Sequence, residues 1–144
     1  MRVVELEAVA TLDLRRRVLR WHRPHAPAAY PEDQQPGTVH LGVVDDEDRV
    51  VAVATLFPEP TAHRPGARAA RLRGMAVDPA VQGRGVGSLL LAAVVARAAA
   101  DGHAVLWANG RDDAVGFYER HGWRVVGDGF ESVGLPHHVV LVDL

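Results

Sequence analysis

Three glycines fall within five residues at Gly83-Arg84-Gly85-Val86-Gly87, directly ahead of an apolar, alanine-rich run that continues to Ala100. In that run Val86, Leu89, Leu90, Ala93, Val94 and Arg97 recur at helical spacing, and Asp101-Gly102 closes it, so the spacing predicts a helix over 85–100. Just upstream, Ala69 to Val77 reads as a strand ended by Asp78-Pro79. Residues without a Cβ let backbone N–H groups converge, and the first N–H groups of a helix have no partner within it. Combined with the positive end of the helix dipole they form an anion site. The expected ligand is a phosphate or pyrophosphate, with Arg84 adding charge. The plainer alternative is a glycine-rich turn that binds nothing.

Two familiar glycine motifs fit poorly. A phosphate-binding P-loop needs Gly-Lys-Ser/Thr, and all 16 basic residues of the chain are Arg. The dinucleotide fingerprint needs a further glycine where Leu90 stands. The lack of Lys also excludes Schiff-base catalysis, and the lack of Cys excludes disulfides, Cys zinc sites, thiolate nucleophiles and thiol redox chemistry. A net charge of -2 gives no global field for nucleic acid. The apolar run over 87–100 is interrupted by Arg97 and too short for a membrane span of ~20 residues. The early acids in Met1-Arg2-Val3-Val4-Glu5 leave no apolar signal core, so a soluble cytoplasmic protein is expected.

The 144 residues suit one domain over 1–144 with no repeat and no linker. Strands are expected at 3–9, 39–44, 49–57, 69–77, 104–107, 123–126 and 138–142, and helices at 11–21, 85–100 and 112–121. The acidic Asp45-Asp46-Glu47-Asp48 reads as a hairpin turn, too short and glycine-poor for an EF-hand. Arg15-Arg16-Arg17 reads as a solvated helix end rather than a binding patch. Gly74 inside a strand marks a bulge or a close backbone approach. The proline-rich stretch 24–37 is a long loop of the kind that forms lids or binding segments.

Gln82-x-x-Gly85-x-Gly87 resembles the acyl-CoA-binding signature Gln/Arg-x-x-Gly-x-Gly/Ala of the GNAT superfamily of N-acetyltransferases, and Met75-Ala76-Val77-Asp78-Pro79 is similar to that family's central strand and its exit. Downstream, Ala114-x-x-x-Tyr118-Glu119-Arg120-x-Gly122-Trp123 resembles the family's second motif, in which Tyr precedes a Gly-Phe/Trp pair. The two motifs cover about a third of the chain, in the family's order. The resemblance implies an α/β fold with a mixed, mostly antiparallel sheet, a V-shaped central splay and flanking helices. It implies acyl transfer from acetyl-CoA, as co-substrate and without a metal, to a primary amine of a small molecule or peptide, by direct attack in a ternary complex. A non-catalytic acyl-CoA sensor is the alternative. It places the pantetheine arm on Met75, Ala76 and Val77, the pyrophosphate on Gln82, Gly83, Arg84, Gly85, Val86, Gly87 and Ser88, and a proton-donating phenol at Tyr118. Where many members carry Asn ahead of the second motif, Arg111 stands, with Asn109 two residues earlier, and either is a candidate to touch the cofactor.

Attack by an amine requires its neutral form, so a base should face the thioester. The candidates are Glu59, His40, Glu131 and the His137-His138 pair, with Glu131 and His137 favoured because the segment after the second motif reaches the acceptor side in related folds. Each has a plainer alternative as a solvated acid or a hydrogen-bonded strand histidine. The eight histidines have no zincin spacing, so no metal site is expected. Arg71, Arg73 and Met75 alternate on one strand face, which suits an anionic acceptor or, equally, arginines paired with surface acids. The expected partners are an amine substrate and, as the commonest assembly, a second copy in a homodimer, with neither nucleic acid nor membrane.

Overall fold

The computed structural model describes residues 1–144. Its strands are β1 (Arg2–Leu6), β2 (Val39–Val44), β3 (Val50–Pro58), β4 (Ala69–Val77), β5 (Val105–Arg111), β6 (Arg124–Ser132) and β7 (Leu135–Asp143). Its helices are α1 (residues 8–19), α2 (Val86–Ala100) and α3 (Asp112–Arg120). The seven strands form one sheet in the order β1-β2-β3-β4-β5-β7-β6, with β4 and β5 parallel and all other neighbours antiparallel. This is the mixed, mostly antiparallel α/β architecture expected from the sequence, and the order of strands and helices along the chain agrees as well.

Several boundaries differ, β1 ending at Leu6 and β7 starting at Leu135 among them, and three others have a clear physical reason. The strand expected to end at Val126 instead bulges between Val126 and Phe130 and resumes its pairing at Phe130↔His137. β5 runs on to Arg111 because β7 supplies partners as far as Arg111↔His137. Helix α1 starts at Ala8 and winds from a tight 3₁₀ turn through one α-turn into a wide π-turn at Arg15–Leu19.

Helix α2 packs on β2, β3 and β4, burying Leu90, Leu91, Val94 and Ala98 against Val43, Ala52, Ala54 and Leu72. Each fully buried Leu contributes about 1.5–3 kcal/mol. Leu89, expected on this face, is 41% exposed, and Leu91 takes its place. A helix apolar nearly all round has no single stripe to specify its rotation. Opposite α2, Leu14 of α1 packs on Val53 and Ala76.

Two features of the sheet create the site. β4 and β5 pair only from Ala69↔Val105 to Leu72↔Ala108, after which β4 stays with β3 and β5 with β7, so the sheet opens in a V. Where it opens, β4 bulges: the step from Arg73 to Ala76 faces the shorter step from Thr55 to Val53. Gly74 sits at the bulge with φ +68°, and a Cβ there would come within 2.7 Å of the Tyr30 ring and 3.1 Å of Arg15 Nε.

Arg15 is the largest departure from expectation. It is 0% exposed rather than solvated. Its guanidinium donates to both Asp33 carboxylate oxygens at 2.8 and 2.9 Å, to the Ala28 carbonyl at 3.0 Å and to the Thr55 hydroxyl at 2.6 Å, and lies 3.9 Å from the Tyr30 ring centroid. Asp33 also accepts from the Tyr30 amide at 2.9 Å, so this pair pins the proline-rich loop to the sheet beneath the bulge. Arg16 is exposed, and Arg17 pairs with Asp13 and Asp78 on the surface.

Candidate active site

Two cavities meet at the mouth of the V, sharing Leu19, Met75, Arg111, Ala114 and Tyr118. The larger, about 690 Å³, follows the end of β4 and the start of α2. Of the residues expected to hold cofactor, Met75, Ala76, Val77, Gln82, Gly83, Gly85, Val86, Gly87, Ser88, Arg111 and Tyr118 line it. Arg84 does not: its exposed side chain faces the acidic β2–β3 turn beside Asp45, Asp46 and Glu47. Asn109 lines the smaller cavity only.

The glycine-rich turn carries a row of unpaired donors. None of the six amide N–H groups of residues 83–88 donates to a protein acceptor, and the first bond of α2 is Leu89 N–H to the Gly85 carbonyl. Gly83 and Gly85 have φ +81° and +78°, and a Cβ at either would meet nothing within 4 Å. At Gly87 a Cβ would come to 3.4 Å of the Phe117 ring, an ordinary van der Waals contact, so α2 and α3 approach closely here but the position does not require glycine. Gln82 ties the turn to β4 through Nε2 to the Val77 carbonyl at 3.2 Å. The Ser88 hydroxyl is 2.9 Å from His121 Nε2, linking the start of α2 to the end of α3. Phe117, Trp21 and Arg120 also line this groove and were not singled out from sequence. Arg120 lies inside the second motif, but spacing alone gave no direction for its side chain.

Tyr118 is buried between Phe117 and Trp123, with ring centroids at 5.5 and 5.0 Å, and its ring edge lies over Gly110. Burial pushes its phenol up to about 12. An absorbance titration of the chain's two tyrosines, compared with Tyr118→Phe, is therefore expected to show the Tyr118 ionisation near pH 12, well above the ordinary ~10. Because the raised value favours the protonated folded form, the fold loses stability as pH rises from ~10 towards 12. A Tyr118 transition at the ordinary phenol value would contradict the burial.

The smaller cavity, about 190 Å³, lies on the other side of Tyr118 and includes Asn109, Ser132, Val133 and His137. His137 is buried, and its Nδ1–H donates to the Leu135 carbonyl at 2.8 Å, which leaves Nε2 as the lone-pair nitrogen of the neutral ring. Glu131 is exposed and lines a neighbouring pocket with Asp112, Pro136 and His137, the last being shared with the smaller cavity. His138 pairs with Asp112 at 2.7 Å, and His40 is enclosed between the Thr55 hydroxyl and the Asp33 carbonyl. Glu59 pairs with Arg71 at 3.2 Å outside the cavity. Burial pulls the Arg111 guanidinium below its ordinary value; Asp113 opposes this and the Arg20 charge adds to it. It remains a cation at neutral pH, and it donates to the Leu19 carbonyl at 2.8 Å. No group of three or more His, Asp or Glu side chains is placed to hold a metal ion, and no helix is long and apolar enough to cross a membrane.

The fold agrees with what comparison finds. A family model described as Acetyltransferase (GNAT) family matches residues 6–123. The chain is 32% identical over 131 residues to the uncharacterized N-acetyltransferase YitI of Bacillus subtilis (strain 168), covering 91% of this chain and 87% of that protein. It superposes on an acyl-CoA N-acyltransferase from Pseudomonas aeruginosa with TM-score 0.79 at 17% identity, covering 97% of each chain. It superposes equally fully on an aminoglycoside 6'-N-acetyltransferase complexed with coenzyme A, with TM-score 0.75, 15% identity and coverage of 99% and 97%. The chain belongs to the GNAT family and is an acyl-CoA-dependent N-acetyltransferase.

Proposed function

We propose that this enzyme transfers an acetyl group from acetyl-CoA to a primary amine by direct attack within a ternary complex. The observation that carries the reading is the row of six unpaired amides at 83–88, opening onto a groove that ends at Tyr118. An unpaired row of N–H groups at the positive end of a 15-residue helix suits a diphosphate, and open space at Gly83 and Gly85 allows its close approach. Arg120 adds charge along the same groove. The free edge of β4 at Met75, Ala76 and Val77 suits the amide-bearing pantetheine arm, as an added strand would.

When bound, acetyl-CoA supplies an activated acyl group. The chain's own residues do the rest. The acceptor amine enters from the smaller cavity and loses its proton to His137 Nε2, directly or through water, because Nδ1 is already committed to the Leu135 carbonyl. A backbone N–H of the 75–77 segment stabilises charge developing on the carbonyl oxygen. Tyr118, held protonated by burial, returns a proton to the departing sulfur. Placement of both reactants between β4 and β5 supplies much of the acceleration. Glu131, outside the cavity, has no part in this scheme, and Arg111 borders both reactants.

Calorimetry with acetyl-CoA, followed by thiol release against an amine panel, tests the reading. Saturable binding is expected for the wild type. Gly85→Val should weaken it by tenfold or more, because a β-branched residue resists the left-handed backbone (φ +78°) that aims the amides. Wild-type protein that takes up no acetyl-CoA, or a Gly85→Val variant that binds it normally, defeats the assignment of the turn.

A further inference from the structure

We infer that the acceptor is a small amine that also carries an anionic group, a carboxylate or a phosphate-like oxyanion, held by Arg20 and Arg111 in the smaller cavity. This rests on the reading of that cavity as the acceptor side.

Four arginines border the cavity, Arg20, Arg71, Arg73 and Arg111, and no Asp or Glu lines it. Two of the four are neutralised from outside. Arg71 pairs with Glu59 at 3.2 Å and lies 5.1 Å from the Trp107 ring centroid, and Arg73 pairs with Glu32 at 3.0 Å and stacks on Tyr30 at 3.9 Å. Arg20 and Arg111 take part in no ion pair. Arg111 has only the Leu19 carbonyl, and Asp113, the acid nearest in effect, lies on the cofactor side. Burial is the main cause of the depressed Arg111 guanidinium, and the Arg20 charge adds to it against the pull of Asp113.

Two like charges in a partly enclosed space are costly until an anion arrives between them. A guanidinium presents a planar fork that matches a carboxylate or phosphate with two parallel hydrogen bonds. The same field disfavours a second ammonium, so diamines and basic peptide segments fit poorly, and it favours the neutral form of the amine that must attack. The cavity volume of about 190 Å³ lies below the ~300–1,000 Å³ typical of sites for drug-sized ligands, which points to an amino-acid-sized molecule.

The test is a matched series on glycine, alanine, leucine and β-alanine skeletons: the free acid, its carboxamide and its phosphonate, assayed by thiol release with wild type and Arg20→Gln. Calorimetry of each acid on CoA-loaded protein gives a readout without turnover. For the preferred skeleton, the acid or phosphonate should exceed the carboxamide in kcat/KM by about 10–150-fold, the span of a charge-assisted hydrogen bond. Arg20→Gln should shrink that ratio about tenfold, mainly through KM, and weaken acid binding, while Arg20→Lys restores part of both. Acetyl-CoA affinity should stay within about twofold, since Arg20 does not line the cofactor groove. A higher rate for acids than phosphonates identifies the carboxylate class, and the reverse order the phosphate class. Equal use of acids and carboxamides by protein that binds acetyl-CoA overturns the inference, and a preference unchanged in Arg20→Gln overturns the assignment to that residue. Failure to bind acetyl-CoA would instead overturn the reading of the groove.

Discussion

Asp33→Asn is expected to destabilise the fold by about 3–5 kcal/mol, because it strands the Arg15 guanidinium as an uncompensated charge in the core. Neither side chain has water to fall back on, with 0% and 4% of their surfaces exposed. The substituted carboxamide can still accept from the Tyr30 amide, so the loss isolates the charge rather than the loop geometry. Urea unfolding measures the effect directly, and the melting temperature should fall by roughly 10–17 °C. Adding Arg15→Met should recover a good part of the loss, since an apolar side chain of similar length removes the stranded charge. A cost below ~1 kcal/mol would mean that water reaches Arg15 after all. The pair also sets acid sensitivity. Burial alone would raise the Asp33 carboxyl, but the hydrogen bonds from Arg15 and the Tyr30 amide and the Arg15 charge overcome it and hold the group below its ordinary 3.8. A depressed carboxyl gives stability that is present above the unfolded value and lost as pH falls through the folded one. The wild type should therefore show an acid limb below ~4 to which Asp33→Asn contributes nothing.

The effect reaches the site because Arg15 and Tyr30 pack on Gly74, where β4 bulges away from β5. The order of elements and the glycine-rich turn were legible in the sequence because both rest on local signals, namely apolar periodicity and backbone freedom. Gly74 was legible for the same reason, since a glycine inside a strand has few explanations. The burial of Arg15 was not. Its partner lies 18 residues away in a loop without periodicity, and three adjacent arginines present no pattern that separates the buried one from the solvated two. The pairing of Arg20 with Arg111 is likewise a product of the V-shaped opening, which brings the end of α1 to the end of β5. Arg84 and Glu131 illustrate the converse: one lies within the first motif and the other in the segment after the second, yet Arg84 lines a pocket at the acidic turn and Glu131 a pocket next to the smaller cavity. Sequence places a residue on an element, whereas side-chain direction at a strand end or a turn depends on bulges and splay that only the assembled sheet supplies.

Tyr118→Phe is expected to lower kcat by about 10²–10⁴-fold while leaving acetyl-CoA affinity within about threefold. The ring itself packs between Phe117 and Trp123 and over Gly110, and phenylalanine preserves those contacts, so the fold and the groove should be unchanged. Burial is the sole cause of the raised phenol value, so no protein partner is orphaned when the hydroxyl is removed. What disappears is the hydroxyl that the proposed scheme uses as proton donor, on a residue lining both cavities. The defect should therefore depend on the leaving group. With acyl thioesters whose thiols are more acidic, less protonation is needed at departure, and the gap between wild type and Tyr118→Phe should narrow. The wild-type kcat should also lack a basic limb from this residue below pH ~10, because a phenol held at about 12 stays protonated there. A Tyr118→Phe enzyme with an unchanged rate, or a defect equally deep for every leaving thiol, would take the proton-donor role away from Tyr118 and leave it only a packing role beside the thioester.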